Sequence, residues 1–301
     1  MKKIKIDEIV ELLNDKKIKH SVEGNMDQCI RGFATLKDYK EGCITWIRDA
    51  SVEFSKRNQI ALCVAPYGLK MENAQSMIFS DNPKMVFFEI LKEFFTESEC
   101  NGISASAIVE TNHIGKNVSI GHHCYICPEV FIGDNVKIDH NVVIKCPAKI
   151  GNDCVISPGV VIGTDGFGYY RDDSNKYRKV PHFGGVEIGN CVEIGANTCI
   201  DRGTIENTII EDNAKIDNLC HIAHNVHIGE NSMIIAHSML GGSCELGKDA
   251  YIAPAGVVMN QTKIGDGGFV GMGAIVINDV ESNKVVAGVP AKVIRNRRKE
   301  E

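Results

Sequence analysis

Aliphatic residues recur at every sixth position over most of this chain. Ten isoleucines occupy these positions between 108 and 162, and the period resumes over 188–200 and 210–276. The residue two positions before each of them is small in nearly every case. A period of six fits neither an α-helix, with about 3.6 residues per turn, nor a lone strand, with about two. It predicts a β-helix of short strands whose large and small residues point inward, with three hexads, or about 18 residues, in each triangular coil.

The period also divides the chain into segments. Residues 1–100 lack it and show shorter strand-like and helical patterns, including a helix that opens at Pro83 with Asn82 as its N-cap. We therefore predict a small α/β domain over residues 1–100, a β-helix over 101–282, and a C-terminal loop with a basic tail over 283–301. The predicted fold class is β, a hexapeptide-repeat parallel β-helix with a small N-terminal α/β domain.

Within the N-terminal domain, helical spacing covers residues 6–13. Buried strands are predicted at 43–50, 60–66 and 76–81, because each is a short apolar run bounded by turn-forming residues. A helical pattern fills the interval between the first two strands. The linker to the β-helix is predicted near 97–102.

Two breaks interrupt the six-residue period. The first, at 164–185, is rich in glycine and aromatic residues, and a structureless segment of that length is usually functional or disordered. We expect it to protrude and to cover a groove, with Asp165 and Phe167 as candidate contacts to substrate or acyl chain. A purely structural turn explains the glycines of its DGFG motif equally well. The second break begins with Asp201 and Arg202, for which a salt-bridged corner is predicted.

Composition restricts the functional class and the compartment. The net charge of −6, from 33 basic and 39 acidic residues, argues against nucleic acid as the main partner. The first residues contain no long apolar run, so neither a secretory signal nor a membrane span is predicted. Several of the 12 cysteines, such as Cys154, fill the small inward position, and Cys124 and Cys127 form a CxxC pair that packing explains better than zinc. A reduced, cytoplasmic protein is predicted.

The predicted prism has flat faces and few clefts. A single copy therefore offers a poor active site, whereas neighbouring prisms would create grooves between their walls. We expect a cyclic homo-oligomer with its sites at subunit interfaces.

His224 is the strongest candidate for catalysis by position. It follows the inward Ile222 and projects outward beside Asn225, and histidine is the side chain best suited to accept a proton near neutral pH. Asp217, just past an inward isoleucine of the preceding strand, is a candidate for orienting it. A surface corner residue is the competing interpretation, since His122 and His140 share the same hexad position without evident partners.

The stretch 163–229 closely resembles the UDP-3-O-acylglucosamine N-acyltransferase family of lipid A biosynthesis. The resemblance rests on DGFG, the following K-x-P, IGANTxIDRG, KIDN and IAHNV. It implies a homotrimer of left-handed β-helices in which His224 is the general base, supported by Asp217 and with Asn225 as its neighbour.

The resemblance reaches the N-terminal domain more weakly. The family places an aromatic ring and an asparagine there for the uracil of a nucleotide sugar, and ITWIRDA puts Trp46 and Asp49 at these positions, with Arg48 between them. Stacking on a base is worth about 1–3 kcal/mol, and Asp49 could accept a hydrogen bond from the base. The competing interpretation is that Trp46 fills the core of the domain.

Two further departures from the family bear on the substrates. Gln261 stands where the family has a second active-site histidine, and it is retained as a groove candidate. The ending VVAGVPAKVI resembles that of hexapeptide acyltransferases that use coenzyme A. Lys292 and Arg295 are therefore predicted to meet the phosphates of the acyl donor.

Together these features predict an N-acyltransferase that moves an acyl group from a thioester, acyl-CoA being favoured, to the amine of a nucleotide-linked amino sugar. No metal and no covalently bound cofactor is required. The first alternative is the lipid A enzyme itself, which would take a 3-hydroxyacyl chain from an acyl carrier protein to UDP-3-O-acylglucosamine. A β-helix scaffold without activity and a γ-carbonic-anhydrase-like metal protein are the alternatives from other classes.

Overall fold

The computed structural model describes residues 3–49, 59–69, 71–96, 102–145 and 147–298. The chain divides into two compact units, Met1–Glu99 and Cys100–Glu301. The helical pattern predicted between the strands at 43–50 and 60–66, and most of the linker, lie outside the described residues.

The N-terminal unit is a small α/β domain. Its elements are β1 (Ile4–Lys5), α1 (Ile6–Asp15), β2 (Ser21–Gly24), β3 (Cys29–Ile30), β4 (Gly32–Phe33), β5 (Cys43–Trp46), β6 (Leu62–Ala65), β7 (Ser76–Phe79) and α2 (Pro83–Phe95). Five strands form one sheet in the order β2-β7-β6-β5-β4, in which only β2 is antiparallel to its neighbour. Helix α2 begins as predicted, since the side chain of Asn82 accepts a hydrogen bond from the backbone N–H of Met85 at 3.1 Å.

The second unit is built almost entirely of strands of two to five residues. In chain order they are β8 (Ile108–Val109), β9 (Ser119–Ile120), β10 (Tyr125–Ile126), β11 (Val130–Ile132), β12 (Lys137–Ile138), β13 (Val143–Ile144), β14 (Ala148–Ile150), β15 (Val155–Ile156), β16 (Val161–Asp165), β17 (Tyr169–Arg171), β18 (Tyr177–Lys179), β19 (Val186–Ile188), β20 (Glu193–Ile194), β21 (Cys199–Arg202), β22 (Thr208–Ile210), β23 (Lys215–Ile216), β24 (His221–Ile222), β25 (His227–Ile228), β26 (Met233–Ile234), β27 (Met239–Leu240), β28 (Glu245–Leu246), β29 (Tyr251–Ile252), β30 (Val257–Val258), β31 (Lys263–Ile264), β32 (Phe269–Val270), β33 (Ile275–Val276), β34 (Lys284–Ala287) and β35 (Lys292–Asn296).

These strands stack into three sheets that form the walls of a β-helix. Sheet I has the order β33-β30-β27-β24-β21-β16-β13-β10-β8, sheet II the order β11-β14-β19-β22-β25-β28-β31, and sheet III the order β35-β34-β32-β29-β26-β23-β20-β15-β12-β9. Pairing is parallel throughout the stacked coils, and partners such as Ile126 and Ile144 are 18 residues apart. The predicted parallel β-helix is therefore confirmed, and its left hand is what the family resemblance implies.

The periodic aliphatic residues form the continuous core of this unit. Ile126, Ile162, Ile222 and Val258 are completely buried, as are most of the others in the series. Truncating one such side chain to alanine would cost about 2–5 kcal/mol, because the stacked coils cannot collapse freely around the cavity. The core therefore fixes which residues of each strand point outward, and with them the possible site residues.

Two predicted loops contain regular structure. The break at 164–185 begins with the end of β16 and then forms an antiparallel hairpin of β17 and β18. The segment 283–301 was predicted as a loop and basic tail, but β34 joins sheet III and β35 folds back on it as an antiparallel partner. That prediction is wrong at 284–287 and 292–296, because β34 pairs with β32 and buries Val285 and Val286 on the wall of the prism.

The cysteines are mostly packed thiols. Nine of those in the described part of the chain are free, and Cys154 and Cys244 lie in the core as predicted from their inward position. Cys127 is disulfide-bonded, so the expectation of a fully reduced chain is wrong at that residue. Neither helix of the described residues has the length and apolarity needed to cross a membrane.

Candidate active site

The imidazole of His224 lies at a corner of the prism, where the chain leaves sheet I. Its position follows from the repeat: Ile222, the last residue of β24, is fully buried, and the chain turns outward two residues later. Asn225 adopts the left-handed conformation that the corner needs, with a φ of 60°, which asparagine tolerates better than most residues. His224 is consequently half-buried and faces away from the core.

Hydrogen bonds fix the tautomer of His224. The side-chain oxygen of Asn225 accepts hydrogen bonds from the backbone N–H and the hydroxyl of Thr204, at 3.0 and 2.9 Å, which identifies it as the oxygen of the amide. Nδ1 of His224 lies 3.0 Å from the same oxygen, so Nδ1 must donate. The lone pair of the neutral ring is therefore on Nε2, where it can accept a proton.

Glycines and a second imidazole surround this ring. A Cβ atom on Gly242 would lie 2.7 Å from Nε2 of His224, and one on Gly166 would lie 2.7 Å from its Cδ2. The ring of His182 packs edge-to-face on that of His224, with centroids 5.4 Å apart. His182 donates through Nδ1 to the carbonyl of Val180, while its buried Nε2 has no hydrogen-bond partner among the described residues. At positions 166 and 242, therefore, only glycine fits without moving His224.

A groove of about 420 Å³ runs from His224 along the outer face of sheet I. Asp201 and His221 lie at the end nearest His224, and the walls beyond them are apolar. The residues that line the apolar part are Met239, Gly241, Val257, Val258, Met259, Ile275 and Ile277. The groove therefore combines a proton acceptor with a surface suited to a hydrocarbon chain.

Asp201 is the buried charge of the groove. Its carboxylate accepts a hydrogen bond from the hydroxyl of Thr164 at 3.1 Å and lies 3.7 Å from Nε2 of His221. Burial raises the pKa of Asp201, and the nearby imidazole of His221 opposes that rise. The predicted salt bridge to Arg202 is absent from the described structure, because that guanidinium donates to the carbonyls of Phe183 and Gly184.

Comparison with known proteins places this chain in a family. The bacterial transferase hexapeptide (six repeats) family matches residues 129–164 and 207–242. The UDP-3-O-acylglucosamine N-acyltransferase 2 of Legionella pneumophila (strain Lens) is 58% identical over 91 residues, which cover 30% of this chain and only 26% of that protein. The UDP-3-O-acylglucosamine N-acyltransferase of Methylacidiphilum infernorum is 34% identical over 247 residues, which cover 75% of this chain and 70% of that protein. The chain belongs to the UDP-3-O-acylglucosamine N-acyltransferase family.

Solved structures agree with the fold. The UDP-N-acetylglucosamine acyltransferase from Campylobacter jejuni matches with a TM-score of 0.56 and 25% identity over 64% of this chain and 73% of that one. LpxA from Acinetobacter baumannii matches with a TM-score of 0.58 over the same shares, and its 23% identity supports the fold alone. The family thus accounts for the β-helix.

Within this family member, Asp217 does not support His224 in the same chain. It follows β23 in sheet III, whereas His224 follows β24 in sheet I, so the two lie at successive corners. The carboxylate of Asp217 accepts hydrogen bonds from the backbone N–H groups of Asn218 and Ala236, at 2.7 and 3.2 Å. Asn225 has the orienting role that was predicted for Asp217.

The other groove candidates are only partly brought together. Phe167 lines the groove, with 88% of its surface exposed, and its ring lies 5.0 Å from that of Tyr169. Asp165 forms an ion pair with Lys179 at 2.7 Å, which lowers the pKa of Asp165. Gln261 is an exposed corner residue, and the preceding Asn260 lines the groove instead.

The N-terminal candidates lie at the end of β5. Trp46 is half-buried on the face of the sheet that packs on α2, with its ring 6.4 Å from that of Phe87, which supports a role in the core. Arg48 and Asp49 follow it and are exposed. A role for these three residues in nucleotide binding stays a prediction.

The donor candidates lie on the C-terminal hairpin. Lys292 and Arg295 are exposed residues of β35. The next arginine, Arg297, is anchored by hydrogen bonds to the carbonyls of Asp249 and Gly267 and packs over the ring of Phe269. The hairpin therefore has one cation fixed to the β-helix and others that face solvent.

Sequence reasoning missed four residues around His224: Gly242, His182, Asp201 as a groove residue, and His221. Gly242 follows His224 by one coil of 18 residues, and that signal was available. His182 lies in the first break and Asp201 opens the second, where the repeat cannot be counted. His221 was overlooked because an outward residue of a strand gives no signal by itself.

Proposed function

We propose that this protein transfers an acyl group from a thioester to the amine of UDP-3-O-acylglucosamine, with His224 as the general base. The observation that carries the proposal is the fixed Nε2 lone pair of His224 at the mouth of an apolar groove. The names of the relatives supply the acceptor. Because these relatives are named for UDP-3-O-acylglucosamine, that sugar is favoured over another nucleotide-linked amino sugar as the acceptor.

The chemistry needs few groups. The sugar nitrogen attacks the thioester carbonyl while Nε2 of His224 takes a proton from it. The resulting oxyanion requires a donor, and the backbone N–H of Gly242 has no hydrogen-bond acceptor among the described residues. We assign the oxyanion to this N–H because Gly242 lies directly beside Nε2. The C–S bond then breaks, and His224 returns its proton to the leaving thiolate.

The length of the groove favours a long acyl chain. Its apolar walls extend from β24 across β27, β30 and β33, which are consecutive neighbours in sheet I. Three strand spacings correspond to about 14 Å. C–C bonds of about 1.5 Å in a zigzag advance the chain by about 1.3 Å each, so an extended chain of roughly 11 carbons fills that length. An acetyl group would leave most of this apolar surface in water.

The long groove shifts the preferred donor from a short acyl-CoA to a 3-hydroxyacyl chain on an acyl carrier protein. Both donors carry phosphate, so Lys292 and Arg295 serve either one in this proposal. Trp46, Arg48 and Asp49 bind the base of the nucleotide, with Trp46 offering only the part of its ring that α2 leaves uncovered. The assembly is a homotrimer whose neighbouring walls close the groove.

A substrate panel tests the proposal. Acyl-CoA and acyl-carrier-protein thioesters of graded length are offered with UDP-3-O-acylglucosamine, and the released thiol is measured. His224→Ala should lower kcat by about 10²–10⁴-fold. His227→Ala is the matched control, since His227 is paired with Glu211 at 2.9 Å on sheet II, away from the groove. Normal turnover by His224→Ala, or a preference for acetyl-CoA, would contradict the proposal.

The nucleotide assignment has a separate test. Trp46 is the single tryptophan of the chain, so its fluorescence reports on the N-terminal domain. Titration with UDP should change that fluorescence in the parent protein, and Asp49→Ala should weaken the response. An unchanged signal would remove Trp46 from the site and leave it as a core residue.

A further inference from the structure

The carboxylate of Asp201 has one oxygen, Oδ2, without a hydrogen bond in the described structure. Only 7% of the residue is exposed, yet the described structure gives it a single hydrogen bond, from Thr164 to Oδ1. Its Oδ2 faces Nε2 of His221 at 3.7 Å, which is too long for a hydrogen bond. Asp201 lines the groove, so this acceptor position is available to a bound ligand. A donor in the groove, to one side of both atoms and about 2.8–2.9 Å from each, could bond to Oδ2 and Nε2 together.

Both residues line the groove that contains His224. Strands β21 and β24 are neighbours with Ile200 opposite Ile222, and Asp201 and Ala223 are the next residues along the chain. The pair therefore lies next to the corner from which His224 projects. The structure places a second titratable pair at the reacting end of the groove, in addition to the general base.

The reaction has a use for a second proton acceptor. An amine that titrates at about 7.7–8.0 is mostly an ammonium ion at neutral pH. Such an ion loses two protons on becoming an amide: one before its nitrogen can attack, and one as the C–N bond forms. The leaving thiolate takes up one of them, so the other must go to solvent. A single imidazole cannot hold both at once.

We propose that Asp201 and His221 bind the acceptor as its ammonium ion and remove the first proton, while His224 removes the second. This inference rests on the proposed function. The ammonium bridges Oδ2 of Asp201 and Nε2 of His221, and its first proton passes to the pair. The free amine attacks the thioester, the C–N bond forms, and His224 receives the second proton and returns it to the thiolate as the C–S bond breaks. The half-exposed imidazole of His221 then releases the first proton to water.

Other charged and titratable groups surround the pair. On β21 these are Cys199, whose pKa is raised by burial and by Asp201, and Arg202, whose guanidinium is bonded to backbone carbonyls. His182 and His224 also lie close enough to favour the charged form of Asp201. All of them remain in place in the variants below, so a change in pH dependence is attributable to the pair.

The test compares kcat/KM of His221→Gln and Asp201→Asn with the parent protein across a pH series, using UDP-3-O-acylglucosamine and the thioester preferred in the panel. Asp201→Asn keeps the bond to Thr164, so it serves if His221→Gln fails to fold, and thermal melting checks both. A variant that can react only with the free amine should have a kcat/KM about 15–30-fold below that of the parent near pH 6.5. Near pH 9, where most of the amine is free, its kcat/KM should come within about twofold of the parent. His227→Gln, which alters the His227–Glu211 pair of sheet II, should show no such trend.

A deficit that stays constant with pH would mean that the pair has only a structural role and would overturn the inference. Activity of both variants equal to that of the parent at every pH would do the same. His224→Ala is measured alongside as the marker of the proposed function. If His224→Ala is inactive while His221→Gln and Asp201→Asn follow the parent profile, the second base is refuted and the general base survives. If His224→Ala is fully active, the proposed function itself fails.

Discussion

Gly166 offers a sharp test of how tightly His224 is held. A methyl group added there would lie 2.7 Å from Cδ2 of His224, 2.9 Å from its Cβ, and 3.0 Å from Nε2 of His182. Ordinary contacts begin at 3.4 Å, so the closest pair must separate by about 0.7 Å. The imidazole cannot simply swing away, because its Nδ1 is bonded to Asn225, which is itself bonded twice to Thr204.

The expected result of Gly166→Ala is a large loss of turnover with a modest loss of stability. Misplacing a reacting group by about 1 Å can cost on the order of 10²-fold in rate, so we expect kcat to fall by about 30–100-fold. Forcing one methyl group into a packed region typically costs about 1–3 kcal/mol, which lowers the melting temperature without unfolding the β-helix.

Gly168→Ala is the matched control, two residues further along the same loop. Its methyl group would meet Val180 at 3.4 Å and His182 at 3.5 Å, which are ordinary contacts. We expect this variant to keep kcat within about threefold of the parent, because nothing near His224 has to move. Both variants are assayed by thiol release at saturating substrate, well below their melting temperatures. Equal activity of the two variants would refute the claim that the packing above His224 sets its position.

Three further results are expected. Asn225→Ala should lower kcat by at least about tenfold with little change in KM, since a general base contributes about 10²–10⁴-fold only in the correct tautomer; a change confined to KM would contradict the role of Asn225. Met239→Trp should fill the groove one strand, or about 4.8 Å, beyond β24, so that thiol release from long acyl donors falls while that from short ones persists; an unchanged chain-length profile would place the acyl group elsewhere. Burial raises the pKa of Cys154 to about 11, so this thiol should resist alkylation in the native state near pH 8 while the exposed Cys191 reacts, as mass spectrometry of the labelled protein can show.

The six-residue period was enough to predict the architecture. Each periodic aliphatic residue points into the core. Residues such as Ile222 and Val258 therefore determine where the strands lie, which face of each strand is buried and how the coils stack. The same count put His224 on the outside at a corner. These features depend on local alternation and on one repeat length, which a sequence displays directly.

The partners of His224 depend on departures from that repeat. Ile200 and Ile222 are paired although they are 22 positions apart, so the extra residues bring Asp201, which follows Ile200, to the end of β24. A count in steps of 18 cannot find this neighbour. Asp217 also follows an inward isoleucine, which is why the sequence suggests it as the partner of His224. It follows a strand of sheet III, however, whereas His224 follows a strand of sheet I. Adjacent hexads occupy different walls, so nearness in sequence was misleading.

The groove lies parallel to the axis along which the coils are stacked, so its capacity is set by how many coils follow the reacting corner. Removing or duplicating one 18-residue coil beyond β24 would change the available depth in a single step of about 4.8 Å, or roughly four methylene groups. Substitutions along the wall would provide finer adjustments between those steps. A repeat architecture of this kind can therefore evolve new chain-length specificities by insertion and deletion while the catalytic corner stays intact.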